Sequence, residues 1–581
     1  MLLASSVQSV LSPRSSQDSL SSTSMARYDE FRPSTIIKSF TPDSEPIIYL
    51  SIPPRSPTDP RSSKEDVQPI SGARALAMIV VCVTASIISN ASSVSMNLLI
   101  PSIQRELEIE ASNLQWISSG FPLGFGSCLL LFGRLADLFG HKRFIQLGTS
   151  FYALASLGCA LSRTHVQLSI LRVLQGLGAA ATAPSIIGVL GNHLEPESML
   201  KRVGFAGLSA GLPLGASFSM LVGGLITETT GAGWRSFFYF CAASASAICV
   251  SATLVIPKDK ERVNDGGIDW LGGFLIITGL TGLILSLAIS SREESNRTVV
   301  LLAIIFSLLI LASFLYWQKV LEDRMNESFQ HGEGWEMATE PILKLDLFKR
   351  DHHQFLVVLT VVCLLWFSFV SQNFFFHEYL QDFLGLSLRK SVIRFIPLPV
   401  VGLLLNITFG FVSPIVPTQL LIVFGCMGTA TSCLLSALMN PSAGYWTYNF
   451  ASVTLSVVGP GFVVPIAKMY SSQIASQSEQ AVAGGLFHTV SQIGSAVGLS
   501  LTTLLQVHVT SYRSRQEGTV VNNDLTVASP EAYLDGLRAA FWLCFGVLCL
   551  ATCLSVVFLR NLKLVGNKKN SSIEEDGIQK I

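Results

Sequence analysis

The chain has 581 residues, of which 49% are hydrophobic and 13% are charged, and its mean hydropathy is +0.50. Soluble domains carry about 25% charged residues, and the buried fraction of a soluble fold grows too slowly with size to hide this much apolar surface. The 39 basic and 39 acidic residues cancel, and this balance favours no nucleic-acid partner. These numbers indicate a polytopic membrane protein.

Residues 1–72 differ in composition from the rest of the chain. Serine and proline dominate, and no apolar run is long enough to nucleate a core. The segment after Met1 also lacks the apolar stretch of about 7–15 residues that marks a signal peptide. We therefore predict a disordered, Ser/Pro-rich cytoplasmic tail for 1–72.

From Ala75 onwards the sequence contains fourteen apolar segments of about 20 residues, the length that a helix needs to cross a bilayer. They lie near 76–100, 115–133, 144–162, 167–191, 203–226, 236–256, 270–290, 299–317, 355–376, 392–412, 418–438, 446–467, 481–506 and 538–559. An even number of crossings places both termini on one side, and the excess of Lys and Arg places that side in the cytoplasm. The basic residues counted as cytoplasmic include Lys201 and Lys468.

The most specific motif, GRLADLFGHKR, follows the second apolar segment. Its glycines permit a close turn, its aspartate can cap a neighbouring helix, and its cations can pair with acidic groups or helix C-termini. An ordinary basic loop is the alternative interpretation. We assign a conformational gate to six of its residues, which are Gly133, Arg134, Asp137, Gly140, Lys142 and Arg143.

This motif resembles the signature loop of the major facilitator superfamily. Fourteen apolar segments, rather than twelve, resemble that family's drug:proton antiporter branch, which is common in fungi. Further positions are similar to the family's other motifs, and they are Trp116, Arg172, Gln175, Gly176, Gly178, 269–272, 379–381, Gly385, Glu479, Gly484, Gly485, Leu486 and Gly494. The resemblance covers about residues 75–560.

The resemblance implies an all-α membrane protein with the major facilitator fold, in which two six-helix bundles and two linking helices give fourteen transmembrane helices. Such bundles rock about a site near the bilayer midplane and give alternating access. The implied segments are an N-terminal bundle at 75–257, linking helices at 258–318, a cytoplasmic loop at 319–352, a C-terminal bundle at 353–560 and a cytoplasmic tail at 561–581.

Four polar residues within the apolar segments are candidates for the substrate or proton pathway. Arg172 and Gln175 lie in the fourth segment, and a buried cation usually faces a cavity or a partner. The alternative is an arginine that extends to the membrane interface. His488 lies in the thirteenth segment, and histidine can become charged near physiological pH. The alternative is a neutral ring that is hydrogen-bonded to Gln492, one turn away.

The fifth segment carries small residues at every fourth position, a spacing that forms one helix face and lets another helix approach closely. They are Gly207, Gly211, Gly215, Ser219 and Gly223. The family's antiporter motif has Gly-Pro where this chain has Ser219-Met220. The family also often has an aspartate in the first helix where this chain has Ser92, so the usual proton-carrying carboxylate is absent.

We therefore expect a secondary active transporter that exports a small, largely apolar organic compound, such as a toxin, a drug or a secondary metabolite. The resemblance implies proton antiport with alternating access. We expect a multi-pass monomer in the cell membrane, with a small-molecule substrate, the lipid bilayer and protons as partners, and with no cofactor, metal or enzymatic activity. An uptake permease for a small polar solute and a non-transporting membrane sensor are the alternatives.

Two N-glycosylation sequons test the predicted topology. Asn296-Arg297-Thr298 lies between the seventh and eighth segments, on the predicted outer side, so Asn296 is the expected acceptor. Asn326-Glu327-Ser328 lies on the predicted inner side, where no glycan is expected.

Overall fold

The computed structural model describes residues 71–562 except for 110, 196–197, 220–226, 228–229, 260–266, 291–295, 331–338, 387, 443, 477, 518–528 and 561. Within these ranges the regular structure is helical, apart from one isolated bridge between Ile268 and Glu340. The tails predicted at 1–72 and 561–581 lie outside the described residues, except for the few at their inner borders.

Fourteen described helices are at least 16 residues long, and each overlaps one of the fourteen predicted segments. They are α1 (Gly72–Leu107), α2 (Ala111–Phe139), α3 (His141–Leu161), α4 (His165–His193), α5 (Met199–Phe218), α6 (Arg235–Val255), α7 (Trp270–Ser290), α8 (Arg297–Gln330), α9 (Gln354–Glu378), α10 (Pro397–Val412), α11 (Thr418–Ala437), α12 (Val458–Ile474), α13 (Gln480–Gln516) and α14 (Pro530–Phe558). Short helical segments at Leu345–Phe348, Arg350–His353, Tyr379–Phe383, Leu388–Phe395 and Asn449–Ser456 lie between them.

Thirteen spans among the described residues are long and apolar enough to cross a membrane. They correspond to every labelled helix except α5. The described part of α5 has two charged residues, Lys201 and Arg202, in its first turn and several glycines, which lower its hydropathy. The span in α8 is the least enclosed, because only 17% of its most apolar window is buried against the rest of the protein. Its exposed apolar side chains are suited to contact with lipid.

Several helices begin where the sequence supplies a side-chain cap. The hydroxyl of Thr164 accepts a hydrogen bond from the backbone N–H of Gln167 at the start of α4, at 3.3 Å. Ser198 does the same for Lys201 at the start of α5, and Ser529 for Ala532 at the start of α14, each at 3.1 Å. Such caps satisfy backbone donors that have no partner within the helix.

The apolar core has two main parts. One joins buried residues of α1–α6, in which α4 packs against α2 and α3, and α1 packs against α5. The other joins residues of the last six labelled helices with parts of α7 and α8, and there α9 packs against α13 and α14. Helices α2 and α4 contact α13 across the two parts, and α5 contacts α10 and α12. The exact bundle boundaries drawn from the sequence stay predictions.

The predicted small-residue face of α5 lies against α1. A Cβ atom added to Gly207 would lie 2.7 Å from a methyl group of Val83, and one added to Gly215 would lie 2.8 Å from the carbonyl oxygen of Ile87. Gly211 is similarly close to Ser86. Ser219 is buried at the end of the described part of α5, whereas Gly223 lies outside the described residues.

Two lysines that the topology count treated as loop residues lie within helices instead. Lys201 is in the first turn of α5 and Lys468 is in α12, and both are buried. For Lys468 the loop assignment is wrong because the twelfth helix does not end at residue 467, but continues to Ile474.

Candidate functional site

The predicted gate residues gather at one end of the protein, where α2 is followed by α3 and where α13 begins; we call this the inner end. Gly140 separates α2 from α3 and has a φ of +101°, a conformation that L side chains rarely adopt. Gly133 lies about two helical turns earlier, and a Cβ atom there would lie 2.7 Å from the carbonyl oxygen of Ala481. The motif glycines therefore allow a sharp turn and a close approach of α2 to α13.

Asp137 connects α2 to the N-terminus of α13. Its side chain is buried, and its two carboxylate oxygens accept hydrogen bonds from the backbone N–H groups of Ala481 and Val482, at 3.0 and 2.9 Å. These N–H groups belong to the first turn of α13, where the helix dipole favours negative charge. Asp137 thus caps a helix that is 344 residues away in the sequence.

His141 and Asn192 extend the surroundings of Asp137, although they were not among the predicted gate residues. The Nε2 atom of His141 lies 3.6 Å from a carboxylate oxygen of Asp137 and 2.9 Å from the amide nitrogen of Asn192. In the sequence, the spacing of four residues between Asp137 and His141 could have indicated that the two side chains are neighbours. Asn192 is at the end of α4, and no sequence pattern connected it to the motif.

The cations of the motif have separate partners. Arg134 forms an ion pair with Glu340, in the segment that precedes α9. The ammonium of Lys142 donates hydrogen bonds to the carbonyl oxygens of Thr253 and Ile256, at the C-terminal end of α6, at 2.8 and 2.5 Å. Arg143 is exposed. The predicted pairing of cations with an acid and with a helix C-terminus is therefore present for two of the three.

A second ionic cluster surrounds Glu479, the residue before α13. Its carboxylate is 2.8 Å from the guanidinium of Arg350 and 3.1 Å from the ammonium of Lys344. Burial alone would raise the pKa of Glu479, but the hydrogen bond and charge of Arg350 and the charge of Lys344 outweigh it and lower the pKa to about 2. Glu479 belongs to a sequence motif, but its two partners lie more than 100 residues earlier and no sequence pattern connects them to it.

Arg172 and Gln175, two of the predicted pathway residues, form one buried network. The guanidinium of Arg172 donates hydrogen bonds to the hydroxyl of Ser92 at 2.9 Å and to the side-chain oxygen of Gln175 at 2.7 Å, and it lies 5.0 Å from the centre of the Phe121 ring. Gln175 in turn donates to Ser156 at 2.7 Å. Within the described residues the partners of Arg172 are neutral, and Ser92 occupies the position where the family often has an acid.

His488 and Gln492, the other two, lie on α13 and are both partly buried. The contacts recorded for the His488 ring in the described part of the chain are aromatic, with ring centres 6.0 Å from Phe125 and 5.1 Å from Phe487. Gln492 lies beside Gly126 of α2. The ring of His488 therefore lies at the interface of α13 with α2. Arg172 lies on α4, and the two predicted pathway residues are not in contact.

Comparison with known proteins agrees with this architecture. A family model described as the Major Facilitator Superfamily matches residues 81–269 and 266–499. The fold is similar to that of the MFS proton:xylose symporter XylE, with a TM-score of 0.56 and 12% identity over 86% of this chain and 98% of that one. The predicted fold is thereby confirmed.

Several curated proteins are similar over most of their length. MFS-type transporter 1 of Pyricularia oryzae is 24% identical over 88% of this chain and 89% of its own. The low affinity ammonium transporter of Saccharomyces cerevisiae is 26% identical over 69% and 75%, and efflux pump terJ of Aspergillus terreus is 24% identical over 85% and 90%. Since the family model covers more than half of the sequence, the chain belongs to the Major Facilitator Superfamily and is a multi-pass membrane transporter rather than an enzyme.

Proposed function

We propose that this protein exports a small, largely apolar organic compound from the cytoplasm across the cell membrane by proton antiport, with both of its termini in the cytoplasm. The observation that carries the proposal is the closure of the inner end by Asp137, which joins α2 to the start of α13. The name of the similar efflux pump terJ supports the direction of transport.

In this proposal the inner end faces the cytoplasm, and the described conformation is the one that is closed on that side. Opening it requires α13 to move away from α2, which breaks both hydrogen bonds of Asp137 and the close contact at Gly133. Because the acceptor is an anion and the donors are at the positive end of a helix dipole, closure is favourable without any substrate. Substrate enters from the cytoplasm while this contact is broken, and the bundles alternate between the two states.

Proton coupling is assigned to groups other than a carboxylate on α1. Ser92 cannot carry a proton between the two sides, and Arg172 is paired with the neutral groups of Ser92 and Gln175. His488 lies within α13, and the unperturbed pKa of a histidine is close to physiological pH. It lies between α2 and α13, so a change in its charge acts on the same helix pair that Asp137 joins.

An accumulation assay tests this function. Cells that express the chain should retain less of a panel of apolar drugs and fungal metabolites than matched cells without it, and a protonophore should abolish the difference. Cells that express Asp137→Asn to the same level should show a smaller difference. Equal retention of every compound would refute export.

Uptake of a small polar solute is the second candidate, since one similar protein is named a low affinity ammonium transporter. In that case cells with the chain should gain radiolabelled methylammonium faster than cells without it and should retain the apolar panel unchanged. Export would lower the amount of apolar compound in the cells, whereas uptake would raise the amount of methylammonium, so the same cells distinguish the two functions.

A further inference from the structure

Lys468 is a buried cation that the closure of the inner end does not explain. It lies in α12 among apolar neighbours, and 6% of its surface is exposed. Its ammonium donates one hydrogen bond, of 3.3 Å, to the backbone carbonyl oxygen of Leu208 in α5, and it lies 5.6 Å from the centre of the Phe487 ring. A lysine ammonium has three N–H donors, so the recorded contacts satisfy it poorly.

The described part of the chain provides no counter-charge for Lys468. The three buried acids among the described residues have other partners: Asp137 accepts from α13, Asp269 accepts from Gly272, Trp317 and Gln318, and Glu479 pairs with Arg350 and Lys344. His488 interacts electrostatically with Lys468, but it adds no negative charge. A buried charge without an opposite partner is costly in a membrane protein and usually marks a functional site.

In the proposed transport cycle, the surroundings of Lys468 change when the inner end opens. Leu208 lies in α5, in the first group of helices (α1–α6), and Lys468 lies in α12, in the second group (α9–α14). Separation of the two groups at the inner end would therefore break their hydrogen bond. The ammonium then becomes accessible from the side at which the exported compound enters. When the inner end closes again, a charged Lys468 needs an anion beside it, and the bound compound is the available source.

We propose that Lys468 binds the acidic group of the transported compound, which is therefore an amphipathic organic carboxylate rather than a neutral molecule. Phe487 lies next to the ammonium and offers an apolar surface for the body of such a compound. The carboxylate replaces the Leu208 carbonyl as the partner of Lys468, so the loaded protein closes more readily than the empty one. This inference rests on the proposed export function and specifies its substrate class.

Binding of two matched fluorescent probes to the purified full-length protein in lipid nanodiscs tests the proposal. 1-Pyrenebutyrate carries a carboxylate, and 1-pyrenebutanol is its neutral counterpart. We expect the wild-type protein to bind the carboxylate about tenfold more tightly, since a charge-assisted contact adds to the shared apolar one. Lys468→Gln should lose this preference and keep its affinity for the alcohol, whereas Lys468→Arg should retain the preference.

Lys201→Gln is the matched control. Lys201 is also a buried lysine that donates to a backbone carbonyl, that of Gly191 at 3.1 Å, but both residues belong to the first group of helices and do not separate. This variant should bind both probes as the wild-type protein does. Equal wild-type affinities for the two probes, no binding of either, or a preference that survives in Lys468→Gln would overturn the proposal. Because the assay measures binding and not direction, these outcomes are independent of whether cells show export.

Discussion

We propose that closure of the inner end depends on Asp137. Both of its carboxylate oxygens accept from backbone N–H groups of α13, so its role requires two acceptors and a negative charge in one side chain. An asparagine provides a single acceptor, and its NH₂ group would face one of the two donors. The substitution changes the hydrogen bonding without changing the size of the side chain.

Asp137→Asn should therefore shift the balance between the two conformations by about 1–3 kcal/mol, the usual size of such coupling. Export should fall, while the amount of protein in the membrane stays close to normal by immunoblot. Asp259→Asn is the matched control, because Asp259 also accepts from a helix N-terminus, the N–H of Lys142 at 2.9 Å, but within the first group of helices. Normal export by a well-expressed Asp137→Asn protein would leave the contact without a role in transport.

The cluster around Glu479 makes stability depend on pH. Folding lowers the pKa of this carboxyl from its ordinary value of 4.5 to about 2, so the folded state favours the ionised form. The resulting stabilisation is complete above about pH 4.5 and is lost as the pH falls towards 2. Thermal unfolding of the wild-type protein and of Glu479→Gln should differ most at neutral pH, and the gap should narrow at pH 3. A gap that is independent of pH would contradict the assignment.

At the scale of elements, α13 contacts three neighbouring helices through two pairs of glycines. Gly484 and Gly485 face α4 and α2, while Gly494 and Gly498 lie against the backbone of α9, at Cys363 and Phe367. The first pair thus lies where the two groups of helices meet, and the second pair lies within the second group. Close backbone contact of this kind is typical of helix packing in membranes.

Gly485→Ala should weaken closure of the inner end. Its new Cβ atom would lie 2.8 Å from the carbonyl oxygen of Leu129, which is backbone and cannot rotate away. We expect slower export and increased labelling of an introduced cysteine at position 482 from the cytoplasmic side. Gly546→Ala, in α14, has no atom within 4 Å of its new Cβ and should match the wild-type protein. Equal labelling of the two alanine variants would argue against a role of this contact in closure.

Much of the element structure could be predicted, and the contacts between elements could not. Length and hydropathy located all fourteen helices, because a bilayer demands a continuous apolar run. Spacing alone identified the small-residue face of α5, but not α1 as its partner. The predicted twelfth segment ends at residue 467, whereas α12 continues past Lys468 to Ile474. Asp137 was predicted to cap a helix, yet the sequence did not show that the helix was α13, because the contact spans 344 residues.

At the scale of the whole molecule, proton coupling is the property to test through His488. A change of its charge would affect α2 and α13 together, because its ring lies between Phe125 and Phe487. Export measured against external pH should show a clear dependence in the wild-type protein and a flat profile in His488→Asn. An unchanged profile in the variant would assign coupling to another group or to none.

The orientation of the molecule can be tested at its two sequons. Asn296 is exposed just before α8, whereas Asn326 lies within α8, near the opposite end of that helix. Glycan mapping by mass shift should find a glycan, if any, at Asn296 and none at Asn326, because only the former lies on the proposed outer side. A glycan at Asn326 would reverse the proposed topology.

The partners of Asp137 on α13 are main-chain groups, and this has a consequence for how the protein can diversify. Every amino acid except proline presents an N–H at positions 481 and 482, so side chains there can vary without altering the hydrogen bonds. The aspartate itself has no such freedom. The side chains of Ala481 and Val482 are both buried, so packing restricts those two positions, whereas the hydrogen bonds restrict only position 137.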